Sequence, residues 1–192
     1  MKSISTRNVI AFILLLSLSL FCAGFGQAPL VNAGNASGSI AGISSSGITQ
    51  EELTGIVRTD SPNYRVFFSI STEGPVVPGL HQDLIPQGIA YSKAQNWLLI
   101  SYYREDGRPS VLSVIDASTG KLVKAMELYK DPYTPYTGHA GGLVVSENHL
   151  WVTSEKSAYQ IKLDDLVSAE DGGKLVFSDI IRTETNASFA AY

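Results

Sequence analysis

Apolar and polar positions alternate in short bursts along the second half of the chain. Tyr159, Ile161 and Leu163 take turns with Gln160, Lys162 and Asp164, a period of two that predicts a strand with one buried face. Leu112, Val114 and Ile115 form a more continuously apolar version of the same run. β-branched residues are enriched in these runs, and Gly or Asp punctuates them about every eight to twelve residues, so strands rather than helices are expected.

The pattern recurs. Residues 86–128, "PQGIAYSKAQNWLLISYYREDGRPSVLSVIDASTGKLVKAMEL", align with residues 140–181, "AGGLVVSENHLWVTSEKSAYQIKLDDLVSAEDGGKLVFSDII". Gly88 answers Gly142, Asn96 answers Asn148, Ser101 answers Thr153, Asp116 answers Asp164, and "GKLV" returns from Gly120 at Gly173. An offset of about fifty residues is typical of architectures in which each unit buries its faces against its neighbours. The first copy predicts strands at 88–92, 96–103, 110–116 and 121–128; the second predicts them at 142–146, 149–154, 158–164 and 174–181. A four-stranded antiparallel unit repeated radially is the blade of a β-propeller. The expected fold class is therefore all-β, a partial β-propeller of two four-stranded blades plus flanking strands. Gly141 and Gly142 suit the start of an innermost strand, where backbones crowd around an axis.

The stretch "LLISYYREDGRPSVLSVIDASTGKLVKAMEL" resembles the YVTN-type repeat of secreted and periplasmic bacterial propellers, in which a strand, a loop, a "V-I-D" strand and a "T-G-K" turn recur. Residues 78–192 as a whole look like a family of secreted bacterial propeller proteins with no established activity. The resemblance implies an architecture and a longer protein, not a chemistry. Propellers take about 4 to 8 blades, and two cannot close a ring. The remaining blades are expected to be missing or supplied by self-association, and "ASFAAY" at 187–192 reads as the first strand of a truncated third blade. Upstream, "YRVFFSIST" at 64–72 predicts one more strand, of the kind that fastens a ring from the N-terminal side.

The N-terminus sets the cellular address. Lys2 and Arg7 precede an apolar run from Val9 to Ala23, followed by small Gly24 and Gly26. This is the order of a signal peptide, and the run falls short of the roughly 18 to 20 apolar residues of a membrane span. A secreted protein, extracellular or periplasmic, with no permanent membrane span is expected. Cys22 is the sole cysteine and follows the bulky Phe21, so neither lipidation nor a structural disulfide is expected. Removing the leader takes two of the 14 basic side chains and none of the 18 acidic ones, moving the formal charge from −4 to −6. Such an acidic chain has no basic stripe to track a phosphate backbone, so nucleic acid is excluded as a partner. Residues 25–50 are rich in Gly, Ser, Ala and Asn and carry no charge, the composition of a flexible linker.

The plan is then a signal peptide at 1–24, a linker at 25–50, an N-terminal strand segment at 51–79, blade one at 80–137, blade two at 138–186 and the first strand of a third blade at 187–192. "TQEE" at 49–52 resembles a capping box opening one short helical turn. Asn35 and Asn186 each head a glycosylation acceptor tripeptide, of consequence only in a eukaryotic secretory pathway.

Candidate chemistry collects on one face of such a meander, where second-to-third strand loops and blade-to-blade crossings meet. That face gathers His81 and Asp83, the "REDGRP" loop with Arg104, the "YKDPYTPYTGH" loop with Tyr133, Tyr136 and His139, and Glu155. These seven are the candidate ligand-binding residues. Tyr133 and Tyr136, stiffened by Pro132 and Pro135, offer rings on which sugars or a partner's side chains stack; the alternative is that they seal the gap between blades. His139 reads either as a channel-facing ligand or base, or as a hydrogen-bond donor holding its Gly-rich turn. His149, Trp97 and Trp151 are read as packing. No Gly-rich phosphate loop, G-x-S-x-G elbow or H-E-x-x-H pair is present, so no catalytic residue or cofactor is assigned. The expected function is a binding module for a cell-envelope glycan or protein. The alternative is a metal-dependent lactonase resembling gluconolactonase-like propellers, although no spacing motif links His81, Asp83, His139 and Glu155, and no metal ligand is assigned.

Overall fold

The computed structural model describes residues 44–51 and 62–191, all within the unit Ala41–Tyr192. The signal peptide, most of the linker and Tyr192 lie outside the described residues. Two sheets, antiparallel apart from one strand pair, carry the fold. The first takes β1 (Leu84–Ser92), β2 (Trp97–Arg104), β3 (Val111–Asp116), β4 (Leu122–Asp131) and the short β5 (Thr134–Pro135) in sequence order. The second takes β6 (Gly142–Ser146), β7 (His149–Ser154) and β8 (Ser157–Lys162), flanked by β10 (Asp179–Arg182).

Period-two patterning explains the layers. Leu99 on β2, Leu112 and Val114 on β3, and Met126 and Leu128 on β4 face the second sheet, where Leu143, Leu150, Val152, Tyr159 and Ile161 meet them in one buried cluster. The alternate positions Ile100, Tyr102, Val111, Ile115 and Ala125 form a separate cluster on the other face of the first sheet. The fully apolar sequence of β3 follows, because all of residues 111–115 are buried.

Several expectations are corrected. Residues 44–50 are no flexible tether but a strap docked on the first sheet. Ser44 Oγ, Ser45 Oγ and Ser46 N donate to one carboxylate oxygen of Asp171 at 2.6, 2.8 and 3.1 Å, while Ala125 N donates to the other at 2.8 Å. Ile48 is buried in the outer cluster. The Gln50 amide donates to Val76 O and Gly120 O and accepts from Leu122 N. The serines are thus there as donors, not for looseness. Thr49 N is held by Gln82 Oε1 at 2.7 Å and residues 49–51 form no helix, so the capping box does not operate there; Glu52 lies outside the described residues.

The strand expected at 64–72 is instead a 3₁₀ turn, Pro62–Tyr64, running into α1 (Arg65–Ile70). Among the described residues no strand edge pairs with it, so its backbone satisfies itself locally through bonds such as Ser71 N to Phe67 O, as an unpaired segment must.

The single strand expected at 174–181 divides. α2 (Leu163–Ser168) interrupts the meander after β8. Its first turn holds Asp164 and Asp165, which suit the positive end of a helix. At its other end the buried Lys124 ammonium donates to Leu166 O, Val167 O and Ala169 O at 2.7 to 2.9 Å. The chain then crosses to the first sheet as β9 (Lys174–Val176), pairing parallel with β4, and returns as β10 to pair with β8. One segment thereby stitches both sheets. The last residues, 187–191, form no strand, although they run beside the start of β6.

The inner edges of the sheets meet at a polar seam. Gly88 N donates to Ser101 Oγ at 3.1 Å, and that buried hydroxyl donates to Ala140 O at 2.7 Å. A Cβ at Gly88 would fall 2.6 Å from Gly141 O, a clash with backbone. Gly88→Ala is therefore expected to destabilise the fold by about 2 to 3 kcal/mol in urea unfolding, because the seam cannot close over a methyl group. Burial by itself raises the Asp171 pKa, but its hydrogen bonds to Ser44, Ala125, Ser45 and Ser46 prevail and hold the carboxyl below the ordinary range. A depressed carboxylate gives stability that is complete above its unfolded pKa, about 4, and is lost as the pH falls below it. Asp171→Asn should cost about 1 to 3 kcal/mol and raise the amide exchange rate at Ile48; unchanged exchange there contradicts the strap.

Candidate functional site

A cleft of about 340 Å³ opens where the seam reaches the surface, lined by Gln87, His139, Gly141, Ser154, Glu155, Asn186 and Ser188. Each wall has a local cause. The β1–β2 register slips between Pro86 and Gly88, leaving Gln87 as the extra residue of a bulge. Bulges of this kind re-aim a side chain beside a site. Ala140, fully buried, holds a left-handed φ of 51°, and Glu155, in the β7–β8 hairpin, holds one of 54°. Such conformations are strained for residues other than glycine and persist where surrounding structure imposes them. Here they turn the chain so that His139 and Glu155 border the same opening. The His139 ring lies against Tyr103, centroids 4.4 Å apart and planes tilted by 32°, while the Tyr103 hydroxyl donates to Glu105 Oε1 at 3.1 Å.

The C-terminal segment forms the remaining wall. Ala187 N donates to Glu155 O, and Cβ atoms at Gly141 and Gly142 would approach Ser188 O to 3.1 Å and Ala190 N to 2.7 Å. Ser154 Oγ is buried with no hydrogen-bond partner among the described residues.

Of the seven residues proposed from sequence, the structure brings His139 and Glu155 together in this cleft and disperses the others. Tyr136 is buried, its ring 4.9 Å from Tyr159 and 5.2 Å from Phe177, and burial pushes its hydroxyl up to about 12. It seals the space between the sheets. Tyr133 points to solvent at 91 % exposure, on a turn fixed by Asp131 Oδ1 accepting from Tyr133 N and Thr134 N. His81 stands in a shallow recess with Thr49, Glu51 and Leu80, and Asp83 is exposed in the turn before β1. Arg104 is buried beside a different cavity. No three His, Cys, Asp or Glu side chains among the described residues are grouped to hold a metal ion.

Gln87, Ser154, Asn186 and Ser188 are not among the seven residues proposed from sequence. Pro86 and Gly88 around Gln87 are the signal of a bulge in an otherwise regular strand, whereas nothing local in sequence brings Asn186 to His139. No family model matches the chain, and comparison with curated proteins finds no match. No helix among the described residues is long and apolar enough to cross a membrane.

The contrast between the two tyrosines is measurable. Tyr136→Ala is expected to cost about 3 to 5 kcal/mol through the cavity it leaves, and Tyr133→Ala to stay within about 0.5 kcal/mol of the parent. Equal losses in chemical denaturation would mean that Tyr136 does not seal the inter-sheet space.

Proposed function

We propose that this chain is a secreted β-propeller module of the cell envelope or extracellular space, its two sheets acting as neighbouring blades, and that the His139 cleft binds an envelope glycan. The YVTN-type reading of the repeat rests on its residues alone. What supports the blade reading is the close approach of two inner edges, β1 and β6, each leading outward through an antiparallel meander. The export signal remains the motif at residues 1–24.

The observation that carries the glycan reading is the lining of the cleft. Gln87 and Asn186 each present a donor and an acceptor, Glu155 accepts, Ser188 adds a hydroxyl, and the His139 ring stacked on Tyr103 gives a flat wall. Paired amides and carboxylates match vicinal hydroxyls, and a ring face matches the C–H face of a sugar. The lactonase alternative has an imidazole and a carboxylate at one opening. A metal-assisted hydrolase also needs several converging ligands, and the described residues do not group them.

A glycan array with the intact protein is expected to retain at least one class of envelope glycan. Gln87→Ala and His139→Ala should each weaken that binding about tenfold, the loss of one or two hydrogen bonds, with Tyr133→Ala neutral. Retention of no glycan, or binding unaffected by both cleft variants, overturns the reading. Lactone turnover that requires added divalent metal and disappears in Glu155→Gln would establish the hydrolase instead.

A further inference from the structure

A second cavity, of about 230 Å³, lies under the strap on the first sheet's outer face and is bordered by Ser45, Arg104, Val111, Met126, Glu127 and Gly172. Arg104, at the end of β2, is only 8 % exposed. Its Nε is buried without a hydrogen-bond partner, and its guanidinium forms no ion pair among the described residues. The charges around it do not relieve this. Arg108 repels it, while Asp106, which holds Arg108 at 2.6 Å, attracts it without pairing with it. Glu127 attracts it without touching it, and the Glu127 carboxylate has only a long contact of 3.4 Å from the Tyr129 hydroxyl. The neighbouring polar groups are already engaged: Ser45 Oγ donates to Asp171, and Gly172 N donates to Ala125 O.

A guanidinium partly withdrawn from water and left without an ion pair is costly. Arginine presents donors in a planar fork matched to a carboxylate. The opposite charge on the same cavity wall narrows the choice of ligand. A simple anion would be repelled by Glu127, and a simple cation by Arg104. A molecule carrying both charges a few bonds apart satisfies each. Val111 and Ile48 add an apolar wall suited to a short side chain.

We propose that this cavity is a binding site for a small zwitterion, a free α-amino acid or the equivalent end of a peptide, with its carboxylate on Arg104 and its ammonium on Glu127. The site is separate from the His139 cleft and does not depend on the glycan reading.

The test is titration of the intact protein with L-alanine, acetate and methylammonium, followed by calorimetry and by amide chemical shifts. Alanine is expected to bind with shifts centred on Val111 and Gly172, and acetate and methylammonium to bind at least about tenfold more weakly, each having one of the two charged contacts. Arg104→Met should abolish alanine binding while leaving the ligand-free protein at least as stable as the parent, because an unpaired buried charge has been removed. Glu127→Gln should weaken alanine and leave acetate no weaker. The proposal is overturned by absence of alanine binding at millimolar concentration or by acetate binding as tightly as alanine. It is equally overturned if Arg104→Met destabilises the ligand-free protein, since the guanidinium would then be a structural element.

Discussion

The Ser101 hydroxyl and the bare backbone of Gly88 set the distance between the two sheets, and much else follows from that distance. Ser101 Oγ accepts from Gly88 N and donates to Ala140 O, so this fully buried hydroxyl both accepts and donates. A satisfied buried hydroxyl contributes modestly, whereas an unsatisfied one is expensive, so the contact specifies position more than it adds stability. The absence of a side chain at Gly88 lets Gly141 O come close. With the inner edges fixed, the apolar faces behind them meet as one cluster from Leu99 to Phe177.

The cleft is a by-product of that closure. Bringing β1 and β6 together requires a bulge at Gln87 and a left-handed turn at Ala140, and these irregularities aim Gln87 and His139 at the same opening. This strain sits at the end of the seam, where backbone departs from the regular ladder. β9 then fastens the arrangement from the far side by leaving the second sheet to pair with β4. The strap does the same for the outer face of the first sheet, where Arg104 and Glu127 lie.

The strands were legible in the sequence because period-two alternation is a direct image of burial. The strands expected at 142–146 and 149–154 coincide with β6 and β7, and the four of the first sheet differ only at their ends. What failed was what depends on partners distant in sequence. "YRVFFSI" has strand composition, but a strand needs an edge to pair with, and among the described residues none pairs with this segment, which forms α1. "SSSG" has linker composition, yet Asp171, more than 120 residues away, converts its donors into an anchor. "KLVFSDII" is continuous in pattern but serves two sheets, with Phe177 buried between its halves. The candidate site was legible to the same extent. His139 just before β6 and Glu155 in the β7–β8 turn belong to one repeat and converge, whereas Tyr136 carries the aromatic signal of a binding loop and fills the core.

Native-state amide hydrogen exchange across the seam tests the central claim most directly, since it reports which segments open together. If the Gly88–Ser101–Ala140 contacts hold the sheets as one unit, the slowest amides of β1 and β6 open with the same free energy and the same denaturant dependence. Separate opening free energies for the two strands, with one sheet exchanging while the other stays protected, would contradict the account.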